Sequence, residues 1–502
     1  MQFEARARLA TKLYYTYTAR EQTSEVTKKC ADAYVLYFFM EKKTLFMCLY
    51  MGAALGKFIE IGNSVLSQLL PQANENLRIV LLTNKGLDRY LEKNPPNQFV
   101  SVERIDEYVP KGLLQKFFHF FYAYLIFTGT TEVLATVGAR ADITPAGGNR
   151  HMAFLKRTIA RTFGRSIWVK TRLVPWIYEL VFRGRPFKAV FDRYKPNLVF
   201  VSAIAFFPDV EVVAEAKRRG IQTLGMSPNW DHLNKYYIPQ HVDTLLVQNM
   251  PMKNEAVTLH AYRPDQVVLI GFLQFDKYVP PEKYSMPREK YFKEMGLDPS
   301  RKVIAYFSNS AFTLSEGDIL KEIAQWISEG KFKQPAQLLV RPYVSPRSMA
   351  LEEKKYEKLQ GNPYIIFNWR KIDEQEESSR FFVSMMYYAD VVISLFSTTA
   401  LEAAVFDKPT LTVGFDGYKK YPPHLSITRL EKLTYFKNVI DTGGVLIMRS
   451  FNELHEKIQA YLDNPNLDKE KRALLVEKLC YAPDGKTAER MTNMILSKLY
   501  GT

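Results

Sequence analysis

A chain of 502 residues that is 47% hydrophobic and 24% charged has the composition of a folded globular protein, not of a disordered or fibrous one. Its length exceeds one ordinary core and points to two domains. The net charge of +15 favours an anionic partner: nucleic acid, an anionic membrane surface or a phosphorylated substrate.

Residues 1–43 read as a basic helical leader without the apolar run of a signal peptide. The three cysteines, Cys30, Cys48 and Cys480, lie far apart and lack metal-ligand spacing, which suits a reducing compartment. Thr44 to Tyr50 reads as a buried strand, followed by a glycine-bearing turn and a helix from about Ala54 to Leu70. "LRIVLLTN" and "FVSVERI" supply the next strands. Continuous apolar strands alternating with helices specify a parallel sheet covered on both faces.

Residues 111–194 interrupt this alternation with a helical insertion. Its first part, "LLQKFFHFFYAYLIF", is a strongly apolar, aromatic helix. The uncharged run there falls short of the roughly 20 residues a membrane span needs. From Phe154 to Lys195 eleven Lys or Arg face only Glu179 and Asp192, a local charge of +9. Between 156 and 188 these cations interleave with Phe163, Ile167, Trp168, Val169, Leu173, Trp176 and Phe182. Such a segment suits either an anionic membrane surface or a core helix pair with solvated cations. Nucleic acid is disfavoured, because no nucleic-acid-reading motif accompanies the basic helices.

The alternation resumes with "KPNLVFVSAIAFFPDVEVVAEAKRRGIQTLGMS", then "TLLVQN" and "QVVLIG", closing a first domain over 44–275. Pro280, Pro281 and Pro287 mark a linker. A second domain over 286–480 repeats the pattern with "KVIAYFS", "AQLLVRP", "YIIFN", "DVVISL", "PTLTVGF" and "VLIMR". A helix over 484–502 ends the chain. Two doubly wound α/β domains facing across a cleft is the expected architecture. The charge runs "EEKKYEK" and "DEQEESSR" read as solvated helix faces.

In open parallel sheets, ligands bind beyond the carboxyl ends of the strands. In the second domain that rule selects Ser308 and Asn309, Arg341, and Ser397-Thr398-Thr399. Hydroxyls, helix-start N–H groups and a guanidinium suit a diphosphate, with Glu402 placed for ribose hydroxyls. Thr399 and Glu402 also have the spacing of a capping box, a local device that needs no ligand. In the first domain the rule selects the loops bearing Lys57, Asp209 and "SPNWDHLN". Trp230 with Asp231 and His232 reads either as an exposed sugar-stacking group or as a loop whose Trp packs inward. Asp209 reads either as a helix cap or as a general base. P-loop, G-x-G-x-x-G, D-x-D and H-E-x-x-H motifs are missing from the sequence, so neither a P-loop nucleotidase nor a dedicated metal site is signalled. No cofactor is expected.

Taken in order, "KPNLVFVSAIAFFPDVEVVAEAKRRGIQTLGMSPNWDHLN", "VLIGFLQFDKY", "YYADVVISLFSTTALEAAVFDKPTLTVGF" and "DGKTAERMTNMIL" resemble the GT-B glycosyltransferases of bacterial surface-polysaccharide synthesis. That branch is related to the CDP-glycerol glycerophosphotransferases and the UDP-N-acetylglucosamine 2-epimerases. The resemblance implies two Rossmann-like domains, with the donor's nucleotide in the second. Ser397, Thr398 and Thr399 would meet its phosphates and Glu402 its ribose, with Ser308, Asn309 and Arg341 nearby. Gly271 would mark the hinge. Lys57, Trp230 and His232 would hold the acceptor, and Asp209 or Asp231 would take its proton. Many relatives carry a histidine where this chain has Lys57, and Arg-Pro-His-Pro where it has Arg341-Pro342-Tyr343-Val344. The function so implied is metal-free transfer of a sugar from a nucleotide-sugar donor to a glycan or lipid-linked acceptor. Its expected place is the cytoplasmic face of the cell membrane, with the helices of 156–188 on the anionic surface. The rivals are a nucleotide-sugar epimerase, a glycerophosphotransferase and a catalytically silent membrane or sugar-binding scaffold.

Overall fold

Most strands of the first domain divide their side chains between two cores, as the two-residue period of an extended chain requires. In β1 (Lys43–Leu49), Phe46 and Cys48 enter one apolar cluster, while Leu45, Met47 and Leu49 enter another on the opposite face. The structure, a computed structural model, describes residues 42–50, 52–59, 64–105, 110–134, 152–309, 313–344, 349–370 and 376–501. The leader expected over 1–43 lies almost wholly outside them.

Seven parallel strands run in the order β3-β2-β1-β4-β5-β6-β7. Besides β1 these are β2 (Leu77–Thr83), β3 (Val100–Arg104), β4 (Leu198–Val201), β5 (Gln222–Met226), β6 (Thr244–Val247) and β7 (Val267–Leu269). The order reverses between β1 and β4, which places a crevice beyond their carboxyl ends. The expected helix over 54–70 is described as Gly52–Ile59 and Val65–Leu69, on either side of residues 60–63.

The second sheet is also parallel, in the order β10-β9-β8-β11-β12-β13. Its strands are β8 (Lys302–Phe307), β9 (Ala336–Arg341), β10 (Ile365–Phe367), β11 (Val391–Ser394), β12 (Thr410–Val413) and β13 (Leu446–Met448). Here the reversal falls between β8 and β11. Again the strands feed two cores: Ile304 and Tyr306 enter one, Val303, Ala305 and Phe307 the other. At about 1.5–3 kcal/mol for each fully buried large apolar side chain, these faces supply the main stabilising term. Two Rossmann-like α/β domains are therefore present.

The insertion between β3 and β4 contains the helices Leu113–Ala123, Gly129–Glu132, Ala153–Arg161, Val174–Val181 and Lys188–Tyr194. Of these, the short Gly129–Glu132 helix reaches the second domain. Thr434 N–H donates to Thr130 Oγ1 at 2.9 Å. A Cβ added at Gly129 would lie 2.0 Å from the Lys432 carbonyl oxygen, so the two backbones meet where only glycine fits. Gly129→Ala is expected to cost about 1–3 kcal/mol through overpacking, measured by chemical denaturation.

The chain crosses between domains twice. The first crossing follows Gly271, which has φ +92°; a Cβ there would lie 2.7 Å from the carbonyl oxygen of Tyr481, on the second crossing. After it, helix Thr487–Tyr500 packs back on the first domain through Ala488, Met491, Ile495 and Leu499. Asp276, on the outgoing segment, accepts from Thr487 N–H at 3.0 Å and Ala488 N–H at 2.8 Å, capping the returning helix. Cys48 and Cys480 are buried free thiols. Among the described residues no helix is long and apolar enough to cross a membrane.

Candidate functional site

The loops after β1, β5 and β11 meet at the cleft. After β11, Phe396 adopts φ +47°, a conformation that strains a bulky residue by about 1–3 kcal/mol. Its ring is fully buried, 5.0 Å from that of Phe436. This turn presents Ser397 and Thr398 just before helix Thr399–Val405. The capping box that the spacing allows is not formed. Thr398 is the N-cap residue and makes no side-chain bond to its own helix. Its Oγ1 instead accepts from Trp230 Nε1 of the other domain at 3.0 Å.

Trp230 is not an exposed stacking platform. It is 4% exposed and lies edge-on to Tyr435 with ring centroids 4.8 Å apart. Its neighbours come from a segment some two hundred residues away, which no local pattern announces. Lys57, in the last turn of helix Gly52–Ile59, donates to Pro228 O at 2.6 Å and Asn229 Oδ1 at 2.7 Å. It thereby joins the loop after β1 to the loop carrying Trp230.

Asp231 contacts Lys235 Nζ at 2.5 Å and His232 Nδ1 at 3.1 Å. Burial alone would raise its pKa; the Lys235 ammonium and His232 outweigh that and hold the carboxyl well below the usual range. The His232 contact is off-line for a hydrogen bond, leaving Asp231 Oδ1 and His232 Nδ1 without partners by that criterion. Burial, helped by Lys235, lowers the His232 pKa, so the ring is neutral at pH 7. The Tyr435 hydroxyl is pushed up by burial and by the Asp231 charge, which puts this second-domain group beside the first-domain carboxylate.

Asp209 is buried. It opens helix Asp209–Arg218 with no exposed surface, and Oδ1 accepts from Ala203 N–H at 2.9 Å. Asp209 does not cap this helix, whose N-cap residue is Pro208 without a side-chain cap bond; its bond from Ala203 fixes the turn after β4 instead.

In the second domain Glu402 Oε1 accepts from the hydroxyl of Tyr278 at 2.9 Å, a linker residue the sequence reading passed over. Arg341 lies in the same surroundings, 5% exposed, its guanidinium carbon 5.4 Å from the Phe382 ring centroid. Its Nη1 has no hydrogen-bond partner, and among the described residues no carboxylate pairs with it within 4.0 Å. Burial lowers its pKa to about 10, so the cation persists at neutral pH. A buried, unpaired guanidinium is costly, and it is the feature here that most calls for an anion. Asn309 Nδ2 donates to the Leu395 carbonyl, tying the end of β8 to the turn after β11.

Ser308 belongs to a different network. Its hydroxyl lies 3.1 Å from Glu316 Oε2, 2.9 Å from Glu352 Oε2 and 2.9 Å from the Tyr356 hydroxyl. Lys355 bridges Glu316 and Glu352. The "EEKKYEK" run is a solvated face at Glu353, Lys354, Glu357 and Lys358, but Glu352 and Tyr356 have no exposed surface and turn inward to this network. Most of "DEQEESSR" lies outside the residues whose side chains are described. Among the described residues no three His, Cys, Asp or Glu side chains gather as metal ligands.

Two Rossmann-like domains with their switch points opposed across one cleft define the GT-B arrangement, and a solved structure bears this out. A Listeria monocytogenes protein assigned as a UDP-N-acetylglucosamine 2-epimerase superposes with a TM-score of 0.54 at 13% identity, covering 92% of this chain and 98% of its own. The UDP-GlcNAc 2-epimerase of Neisseria meningitidis, solved with UDP-GlcNAc, gives 0.49 at 11% identity, over 90% and 100%. A variant of the wall teichoic acid polymerase TagF gives 0.45 at 11% identity, over 92% and 89%. Residues 370–497 match the family model for CDP-glycerol:poly(glycerophosphate) glycerophosphotransferase, a segment that contains Ser397, Thr398, Thr399 and Glu402. No curated protein matches the chain in sequence.

Proposed function

We propose that this protein is a nucleotide-dependent transferase of cell-surface polymer synthesis, moving a sugar from a nucleotide-diphosphate donor to a glycan or lipid-linked acceptor. The observation that carries the reading is the unpaired Arg341 cation beside Glu402, in a domain whose 370–497 segment matches a transferase family. Arg341, with the hydroxyls of Ser397 and Thr399, would take the diphosphate and stabilise it as it departs. Glu402, already oriented by Tyr278, would accept from the ribose. Thr398 would exchange Trp230 for the donor, so that donor entry is felt in the acceptor loop. Asp231 would serve as the base, with Lys57 and His232 lining the acceptor side; Asp209 would hold the turn beneath them. This reading includes no metal, which full activity in EDTA would check. The helices of 156–188, with Phe154, Ile167 and Trp168 respectively 81%, 68% and 62% exposed, would rest on an anionic membrane face by charge complementarity and apolar insertion.

A second reading, transfer of glycerophosphate from CDP-glycerol, is favoured by the family match. Lys57 and Tyr343, standing where many relatives carry histidine, weigh against it.

A thermal-shift series with UDP, CDP, GDP, TDP and CMP tests both. A ligand at 100 times its Kd adds about 2.7 kcal/mol of stability, a visible shift. One nucleoside diphosphate is expected to stabilise the protein, and Glu402→Gln, which still accepts from Tyr278, is expected to reduce that shift. UDP, GDP or TDP would support the sugar donor and CDP the glycerophosphate donor. Silence with all five at millimolar concentration would sink both readings and leave a binding scaffold.

A further inference from the structure

The helical insertion and the end of helix Met250–His260 line an open cavity of ≈ 600 Å³ that the cleft chemistry does not use. Arg157, Arg161, Arg165 and Lys170 line it against a single carboxylate, Glu132. Glu132 is already committed, 3.1 Å from Arg157 and 3.8 Å from Lys432. The side chains of Arg161 and Arg165 have no ion pair or hydrogen bond among the described residues. Lys170 is buried, its Nζ 2.7 Å from the Leu259 carbonyl oxygen and 5.8 Å from the Tyr237 ring centroid. Burial lowers its pKa to about 8, and an anion in the cavity would reverse that shift.

The remaining wall is apolar, with Ile126, Phe127, Ile167 and Val257 among the lining residues. On helix Ala153–Arg161 the exposed Phe154 stands three residues before Arg157 and seven before Arg161, on the same helical face. Phe163 and Trp168, both exposed, flank the other lining segment. A multiply cationic cavity with an apolar wall, next to exposed aromatics on the same segments, selects a ligand that is anionic at one end and apolar at the other. Guanidinium forks match phosphate oxygens in pairs. Three cations beyond the one that Glu132 neutralises suit a phosphate monoester better than a singly charged headgroup.

We infer that this cavity is a second ligand site, separate from the cleft, that takes the phosphate monoester headgroup of a membrane amphiphile. The inference deepens the membrane-facing reading of helices 156–188 and rests on it for the apolar half of the ligand. It requires nothing of the nucleotide site.

The test is isothermal titration of the full chain with dihexanoyl phosphatidic acid below its micelle concentration, alongside inorganic phosphate. R161Q/R165Q is the pocket variant. R172Q/R183Q, at exposed positions of the same insertion, removes equal charge away from the cavity. The wild type is expected to bind the short-chain lipid, and the pocket variant to bind it at least about tenfold more weakly. R172Q/R183Q should stay within about twofold of wild type. Inorganic phosphate binding as tightly as the lipid would show a plain phosphate site and overturn the amphiphile. No binding, or equal losses in the two variants, would overturn the site itself. Sedimentation with phosphatidylserine vesicles reports membrane attachment separately: its failure alongside intact lipid binding removes the membrane reading and keeps the pocket.

Discussion

Arg341→Met is expected to leave the unliganded protein as stable as wild type, or more so, while erasing the thermal shift that a nucleoside diphosphate produces. The guanidinium is 5% exposed and its Nη1 has no hydrogen-bond partner. Desolvating a charge without an ion pair costs several kcal/mol, and replacing such groups with apolar ones of similar volume has been neutral to stabilising by about 1–4 kcal/mol. A methionine at 341 would pack on Phe382, where the guanidinium now stacks. Binding moves the other way. Losing a charge-assisted contact to a desolvated phosphate costs about 2–5 kcal/mol, a factor of tens to thousands in Kd. Chemical denaturation with and without nucleotide measures both halves. A variant that loses stability and keeps its nucleotide shift would show that Arg341 is a structural cation and no donor ligand.

Between about pH 4 and pH 7 the first domain is expected to lose several kcal/mol of stability as pH rises. Burial pushes the Asp209 carboxyl up to about 7, and burial likewise raises Glu211 to about 7 despite the hydrogen bond it accepts from Tyr178. In the unfolded chain the two ionise near 3.9 and 4.3. Over the interval between, the native state holds protons that the unfolded state has released, so stability falls with rising pH. It is complete below about pH 4 and gone above about pH 7. At 1.36 kcal/mol per pH unit, Asp209 and Glu211 each contribute about 4 kcal/mol. D209N/E211Q keeps both acceptor oxygens and removes both ionisations. Its melting temperature should therefore vary less with pH than that of the wild type, with the largest gain above pH 7. Parallel pH profiles for the two proteins would refute the assignment.

The strands were legible because parallel sheets buried on both faces leave continuous apolar runs, and each run the sequence offered became a strand. Side-chain surroundings were legible only where neighbours in sequence supply them. The run around Glu352 is solvated at 353, 354, 357 and 358, and nothing in its sequence shows that Glu352 and Lys355 turn inward. Its actual partners, Ser308 and Glu316, lie 44 and 36 residues away in the sequence, and helical periodicity carries no record of them. The two readings of Trp230 stayed open for the same reason, its packing partner Tyr435 belonging to the other domain. At Thr399 and Glu402 two readings had equal support from spacing. The structure starts this helix with Thr398 as its N-cap, bonded to Trp230, and pairs Glu402 with Tyr278, two partners that no local pattern announces. Arg341 could be placed by the strand-end rule, but its isolation from any carboxylate is a property of the fold alone.

The double crossing at Gly271 and Tyr481 has a mechanical consequence. A single tether lets two bodies wander through a cone of orientations, and a ligand bridging them must offset the entropy of that wandering. Two covalent straps in contact, with Asp276 of one clasping the start of the helix that follows the other, leave one easy motion, a rotation about the line through both. Opening and closing then follow a single coordinate, and little of the binding free energy of a ligand held between the domains would be spent on orienting one half of the molecule against the other.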